Sequence, residues 1–252
     1  MSLQRIVSSF MYYPDPHWML TPAGLGLEAE EVRINSGPGV RLHAWFFARP
    51  RPLANMLFCH GNAGNVSHRI ENVAHLLRVG FQVLLFDYRG YGHSSGQPSE
   101  EGLYEDALAA WSALVERADA SRPHIIFGRS LGGAVAIDLA ARVDADGLII
   151  ESTFTSIRTL ARLFLRLPLP DLPVKFDSLS RIGDMVTPLL VVHGERDELV
   201  PFADGQALYE AARGVKSWYP IPDAGHNDTY VVGGEAYFHR LAAFAADLAQ
   251  LT

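Results

Sequence analysis

From about residue 54 onward, short uninterrupted apolar runs alternate with stretches of helical periodicity. That alternation predicts an α/β fold: a mostly parallel sheet covered by helices on both faces. The predicted strands span 55–59, 81–86, 124–127, 147–150, 189–193 and 217–219. Between them, Val66, Ile70, Val73, Ala74 and Leu77 fall on one helical face, as do Leu103, Ala107, Trp111 and Leu114, and near the end Phe238, Leu241, Ala245 and Leu248. Each stripe should face the core. Upstream, residues 31–35 and 41–47 flank Ser36-Gly37-Pro38-Gly39 and predict an antiparallel hairpin at the start of the sheet. The chain contains no internal repeat and no low-complexity tract.

One segment breaks the alternation. Residues 152–187 carry Phe154, Leu160, Phe164, Leu165, Leu167 and Leu169 among prolines. The segment reads either as an ordinary crossover helix with a loop or as a small cap. An insertion after the strand at 147–150 lies at the carboxyl edge of the sheet, where ligands of open α/β folds bind. As a cap, its Phe154, Leu160, Phe164, Leu165 and Leu167 would line an apolar substrate pocket, because large side chains there would otherwise face water.

At 252 residues the chain can bury one substantial core, so residues 1–252 are expected to form one domain. A formal charge of −7, with acids and bases interspersed, offers no basic patch for nucleic acid or anionic lipid. Lys175 and Lys216 are the two lysines, which leaves few amines for Schiff-base chemistry. The one cysteine, Cys59, rules out an internal disulfide and sits in an apolar run, as a small core residue would. Between Arg5 and Pro14 the apolar stretch is too short to span a membrane and lacks a small-residue cleavage pattern. The expectation is a cytoplasmic protein with no membrane span.

The most specific chemical signal is Gly128-Arg129-Ser130-Leu131-Gly132, with an apolar run leading in and an alanine-rich helical stretch leading out. Strand, Gly-x-Ser-x-Gly, helix is a nucleophile elbow, whose turn is so tight that small residues must stand two places either side of the serine. Ser130 is therefore the candidate nucleophile. A serine hydroxyl needs a base, and the base needs a carboxylate on its far nitrogen. His226, in Ala224-Gly225-His226-Asn227-Asp228, is the candidate base, and Asp197, in the loop after 189–193, the candidate acid. Glu151 is the rival acid; Glu195 and Glu198 are lesser ones. Leu131 and Asn62 are the candidate N–H donors for an oxyanion, with Ala63 as the near alternative to Asn62. His60 and His193 are expected to shape loops by hydrogen bonding, and Asp87 to Ser94 to form a structural turn beside the site. No histidine pair has zinc-ligand spacing backed by a carboxylate, so neither a metal nor any other cofactor is expected.

His60-Gly61-Asn62-Ala63-Gly64-Asn65, Asp87-Tyr88-Arg89-Gly90-Tyr91-Gly92, Gly128-Arg129-Ser130-Leu131-Gly132-Gly133, Ser152-Thr153-Phe154-Thr155-Ser156, His193-Gly194-Glu195-Arg196-Asp197 and Gly225-His226-Asn227-Asp228-Thr229 follow one another in this order. With them the chain resembles the small-capped α/β-hydrolases that include fungal bud-emergence proteins and animal protein depalmitoylases. The resemblance implies an eight-stranded sheet with helices on both sides and a Ser130, Asp197, His226 triad acting on small-molecule esters or thioesters. Those relatives' amino-terminal hydrophobic anchor or lipidated cysteine cluster has no counterpart in this sequence, which argues against a membrane-bound substrate. A peptidase or amidase of the same fold, and a hydrolase-like receptor with little turnover, are the competing functions.

Overall fold

The apolar runs become strands of one eight-stranded sheet: β1 (Glu30–Asn35), β2 (Arg41–Phe47), β3 (Ala54–Cys59), β4 (Phe81–Phe86), β5 (His124–Arg129), β6 (Gly147–Glu151), β7 (Leu189–Gly194) and β8 (Lys216–Ile221). The computed structural model describes residues 11–165 and 175–250, with backbone alone over 162–165. Strand order is β8-β7-β6-β5-β3-β4-β2-β1. Strand β2 runs antiparallel to both its neighbours, β1 and β4, and the remaining pairs of this sheet are parallel. The predicted hairpin at 31–47 is the β1/β2 pair.

The inner strands are apolar on both faces because both faces are covered. Successive side chains of a strand point to opposite sides, so β3 sends Leu57 and Cys59 into one core cluster and Met56 and Phe58 into the other. Helices α1 (Ile70–Arg78) and α7 (Thr229–Leu248) close one face. Helices α2 (Glu100–Val115), α3 (Leu131–Ala140), α5 (Ser178–Ile182) and α6 (Phe202–Ala211) close the other. Ser99 starts α2 by accepting the Gly102 N–H at 3.2 Å, and Glu100 and Glu101 complement the helix dipole in its first turn.

The stripe predicted from Val66 to Leu77 is only partly correct. The segment opens as a 3₁₀ turn over Val66–Arg69 before becoming α1. Three residues per turn, in place of 3.6, shift the phase, so Leu76 takes a buried position while Ala74 and Leu77 stay half-buried. The closing helix α7 is broken at Gly234, which has φ of 54°. Its stripe of Phe238, Leu241, Ala245 and Leu248 lies beyond the break and is buried.

Helix α4 (Ile157–Leu165) and α5 lie between β6 and β7, in the segment that interrupts the sequence pattern. Glu100, at the head of α2, grips the returning chain: its carboxylate accepts the N–H groups of Lys175 at 2.6 Å and Phe176 at 2.7 Å.

Register brings the carboxyl ends of the parallel strands to one edge. Cys59 pairs with Gly128, Arg129 with Glu151, and Glu151 with Val192. The loops that leave β3, β5, β6 and β7 therefore open side by side. Helix α3 presses so closely on β3 that a Cβ on Gly132 would run into the Cys59 and His60 carbonyls. Because the obstacle is backbone, the helix has to move to relieve it. Such overpacking costs about 1–3 kcal/mol, or about 2–4 °C per kcal/mol at this chain length. Gly132→Ala is accordingly expected to lower Tm by roughly 2–12 °C in calorimetry, and an unchanged Tm would refute the close approach.

Candidate active site

Ser130 joins β5 to α3 with φ of 55° and ψ of −119°. That conformation costs a non-glycine residue about 1–3 kcal/mol and persists only where the surroundings over-determine it. Here they do. The Ser130 N–H donates to the Glu151 carbonyl at 2.8 Å, and its own carbonyl accepts the Gly133 N–H at 3.0 Å. A Cβ on Gly128 would strike the Gly132 carbonyl, so the two glycines of the motif touch across the turn. Leu131 opens α3, and its N–H is one of the first-turn donors that have no acceptor within a helix.

The structure brings Ser130, His226 and Asp197 together. His226 Nε2 lies 3.1 Å from Ser130 Oγ, and His226 Nδ1 lies 2.8 and 3.0 Å from the two Asp197 carboxylate oxygens. A neutral ring that donates its Nδ1–H to Asp197 presents an unprotonated Nε2 to the serine. Burial alone would raise the Asp197 carboxyl, but hydrogen bonds from His193 and His226, with the Val200 N–H, outweigh it and hold the group well below the usual carboxylate range. The loops carrying the two residues are stitched together. Arg196 N–H donates to the Ala224 carbonyl at 2.9 Å, and His226 N–H to a Glu198 carboxylate oxygen at 3.1 Å. Glu151, the rival acid, faces elsewhere: its carboxylate is taken by Arg129, Thr229 and Tyr237.

The loop after β3 lies against the serine. A Cβ on Gly61 would sit 3.6 Å from Ser130 Cβ and 3.5 Å from the Arg129 carbonyl. Next to it, the Asn62 side chain accepts the Tyr91 hydroxyl at 2.7 Å and donates to the Met11 carbonyl at 2.7 Å. The amino-terminal segment runs across the outside of this loop. Tyr13 and Pro14 pair with Ala63 and Gly64. Asn65 donates to the carbonyls of Asp15 and His17, both at 2.8 Å. His60 also shapes the loop, through a 2.7 Å contact of Nδ1 with the Gly61 carbonyl, and burial pulls its ring down to a pKa of about 4. Asp87 is fully buried and accepts the Val66 N–H at 2.9 Å.

Of the predicted pocket residues, Phe154 is buried in the larger core cluster with its ring 6.4 Å from Phe176, and Leu160 is half-buried against that cluster. Phe164 and Leu165 end the backbone of α4, their side chains lying outside the described residues, as does Leu167 altogether. Cys59 is fully buried, which pushes its thiol up to about 12.

Residues 50–181 match the Hydrolase_4 family model, described as serine aminopeptidase, S33. The chain belongs to this family of α/β-hydrolases. It is 37% identical over 244 residues to the α/β-hydrolase domain-containing protein WAV2 of Arabidopsis thaliana, covering 87% of this chain and 79% of that protein. It is 35% identical over 212 residues to the α/β-hydrolase domain-containing protein 17B of Xenopus laevis, covering 81% and 70%. A solved esterase of Pyrococcus furiosus superposes with a TM-score of 0.75 at 26% identity, over 92% of this chain and 97% of that one. Among the described residues of this hydrolase, no helix is long and apolar enough to cross a membrane.

Sequence reasoning missed two parts of the site. His193 was expected to shape its loop, and its Nε2 does lie 3.0 Å from the Val200 carbonyl. It also lies 3.3 Å from Asp197, a contact four residues ahead that only the curl of the loop creates. The second omission is the charge pair of Arg129 and Glu151, which ends two adjacent strands.

Because the folded Asp197 carboxyl is held below its unfolded value of about 3.9, its contribution to stability is present above that value and lost as pH falls through the lower, folded one. Urea unfolding of Asp197→Asn beside the wild type should therefore show a full deficit near pH 7 that narrows below about pH 4. A deficit that widened toward acid would contradict this.

Proposed function

We propose that this protein is a serine hydrolase that cleaves carboxylic ester or thioester bonds through an acyl-serine intermediate. The observation that carries the proposal is the unbroken run of contacts from Asp197 through His226 to Ser130, with the serine raised on a strained turn. In this reading His226 Nε2 takes the hydroxyl proton as Ser130 Oγ attacks the acyl carbon. Asp197 keeps the ring in the reactive tautomer and stabilises the imidazolium. The backbone N–H groups of Leu131 and Asn62 receive the negative charge on the carbonyl oxygen. Collapse of the tetrahedral intermediate expels the alcohol or thiol, which takes the proton from His226. Water then repeats the sequence on the acyl-serine, releasing the carboxylic acid and restoring the serine.

The family description raises the alternative of an aminopeptidase. Such an enzyme needs carboxylates free to hold the substrate's amine. Within residues 152–187, Asp177 instead caps α5 by accepting the Ser180 N–H at 3.2 Å, and Asp184 faces Arg213 at 3.9 Å in an exposed pair. Asp171 lies outside the described residues. Those engagements, and the likeness to an esterase from Pyrococcus furiosus, favour an ester substrate. A binding protein with little turnover has no need of a strained serine within hydrogen-bond reach of a carboxylate-paired imidazole.

Intact-mass analysis after treatment with a fluorophosphonate tests the nucleophile. The wild type should gain one adduct, on Ser130, and Ser130→Ala should gain none while keeping its circular dichroism spectrum. Labelling of the variant at the wild-type rate would remove Ser130 from the role.

Leu160, Phe164, Leu165 and Leu167 of the insertion are proposed to receive the acyl chain, with Phe154 belonging to the core. Each buried methylene contributes about 0.8 kcal/mol, so two added carbons should raise kcat/KM roughly tenfold until the space fills. A nitrophenyl ester series from acetate to palmitate should climb and then level at short to medium chains, and Phe164→Ala should shift the plateau. A profile independent of chain length would assign these residues to the core alone.

A further inference from the structure

We propose that Arg129, the residue before the nucleophile, is a positioning residue: anchored on Glu151, its guanidinium holds the main chain of His226 in place. This inference rests on the reading of His226 as the base. Arg129 and Glu151 are opposite one another at the carboxyl ends of β5 and β6. Arg129 Nε donates to a Glu151 carboxylate oxygen at 2.9 Å, and the two side chains are 6% and 0% exposed. The same carboxylate accepts the hydroxyls of Thr229 at 2.7 Å and Tyr237 at 2.5 Å, both from α7. Glu151 is thus fixed from three sides. From that anchor, Arg129 Nη2 donates to the main-chain carbonyl of His226 and to Asn227 Oδ1, the latter at 3.2 Å.

Two observations separate this arrangement from a pair that merely fills space. Burying both charges is costly, and well-packed apolar residues often replace such pairs without loss. An apolar pair could join β5 to β6 but could not hold a carbonyl on a third element. The held carbonyl also belongs to the residue whose ring must stay 3.1 Å from Ser130 Oγ. Through the peptide joining Arg129 to Ser130, the clamp references the base directly to the nucleophile. A lysine at this position could neutralise Glu151, but its single ammonium cannot span carboxylate and carbonyl as a guanidinium fork does.

The test uses the full chain and three variants: Arg129→Lys, the double variant Arg129→Met/Glu151→Gln, which leaves no unpaired buried charge, and Asp197→Asn. Two measurements are read on each, the rate of Ser130 phosphonylation together with steady-state ester hydrolysis, and the low-field proton NMR resonance of the His226 Nδ1–H bonded to Asp197. A misplacement of about 1 Å can cost a hundredfold. Arg129→Lys and the double variant are therefore expected to lose about ten- to a hundredfold in kcat and in phosphonylation rate. Their KM should stay within about threefold and their folded circular dichroism should be kept. The low-field resonance should broaden or vanish in both, as it must in Asp197→Asn. Folded variants that keep the sharp resonance and the wild-type rate would overturn the inference. If the wild type itself failed to phosphonylate at Ser130, the hydrolase reading would fall, and the resonance would still decide whether Arg129 holds the loop.

Discussion

The constraint on which the rest depends is the approach of α3 to β3 beneath Ser130. Glycines at 128 and 132 let the chain turn within two residues, and the serine between them is pushed into a backbone conformation it would not choose. The turn is held by the Glu151 carbonyl on one side and by the first turn of α3 on the other. A side chain at either glycine would force the layers apart. The same closeness that strains the serine brings the start of α3 against the loop that leaves β3.

Around that turn, the charges are arranged so that no carboxylate is buried alone. Asp197 has two ring nitrogens and two backbone N–H groups at its oxygens, and Glu151 has a guanidinium and two hydroxyls. Desolvation of a carboxylate is offset only by donors of this number and quality. The two acids, close in the sequence reading as rivals, are thereby given separate environments: one bonded to the ring of His226, the other to an arginine that touches its main chain.

What was legible in the sequence was whatever depends on local pattern. The strands, the elbow and the loops at 60–65, 194–201 and 224–228 follow from apolar runs and glycine spacing, because those features act within a few residues. The apolar runs underestimate strands whose last residue is charged: β5 continues to Arg129 and β6 to Glu151. A charge at a strand end signals a turn unless its partner is known, and that partner lies 22 residues away. His193 against Asp197 was hidden for a different reason: helical spacing occurs here in a loop, without a helix to announce it. The phase of α1 was displaced because no residue marks where 3₁₀ winding gives way to α.

The amino-terminal segment has a mechanical meaning. Met11, Tyr13, Asp15 and His17 are bonded to Asn62, the Ala63-Gly64 edge and Asn65 before the chain reaches the first strand of the sheet. The segment from Met11 to His17 is thus tied to the loop beside Ser130, while the side chain of Tyr12 is buried in the core. A displacement of this segment therefore strains, together, the loop beside Ser130 and the core cluster that holds Tyr12.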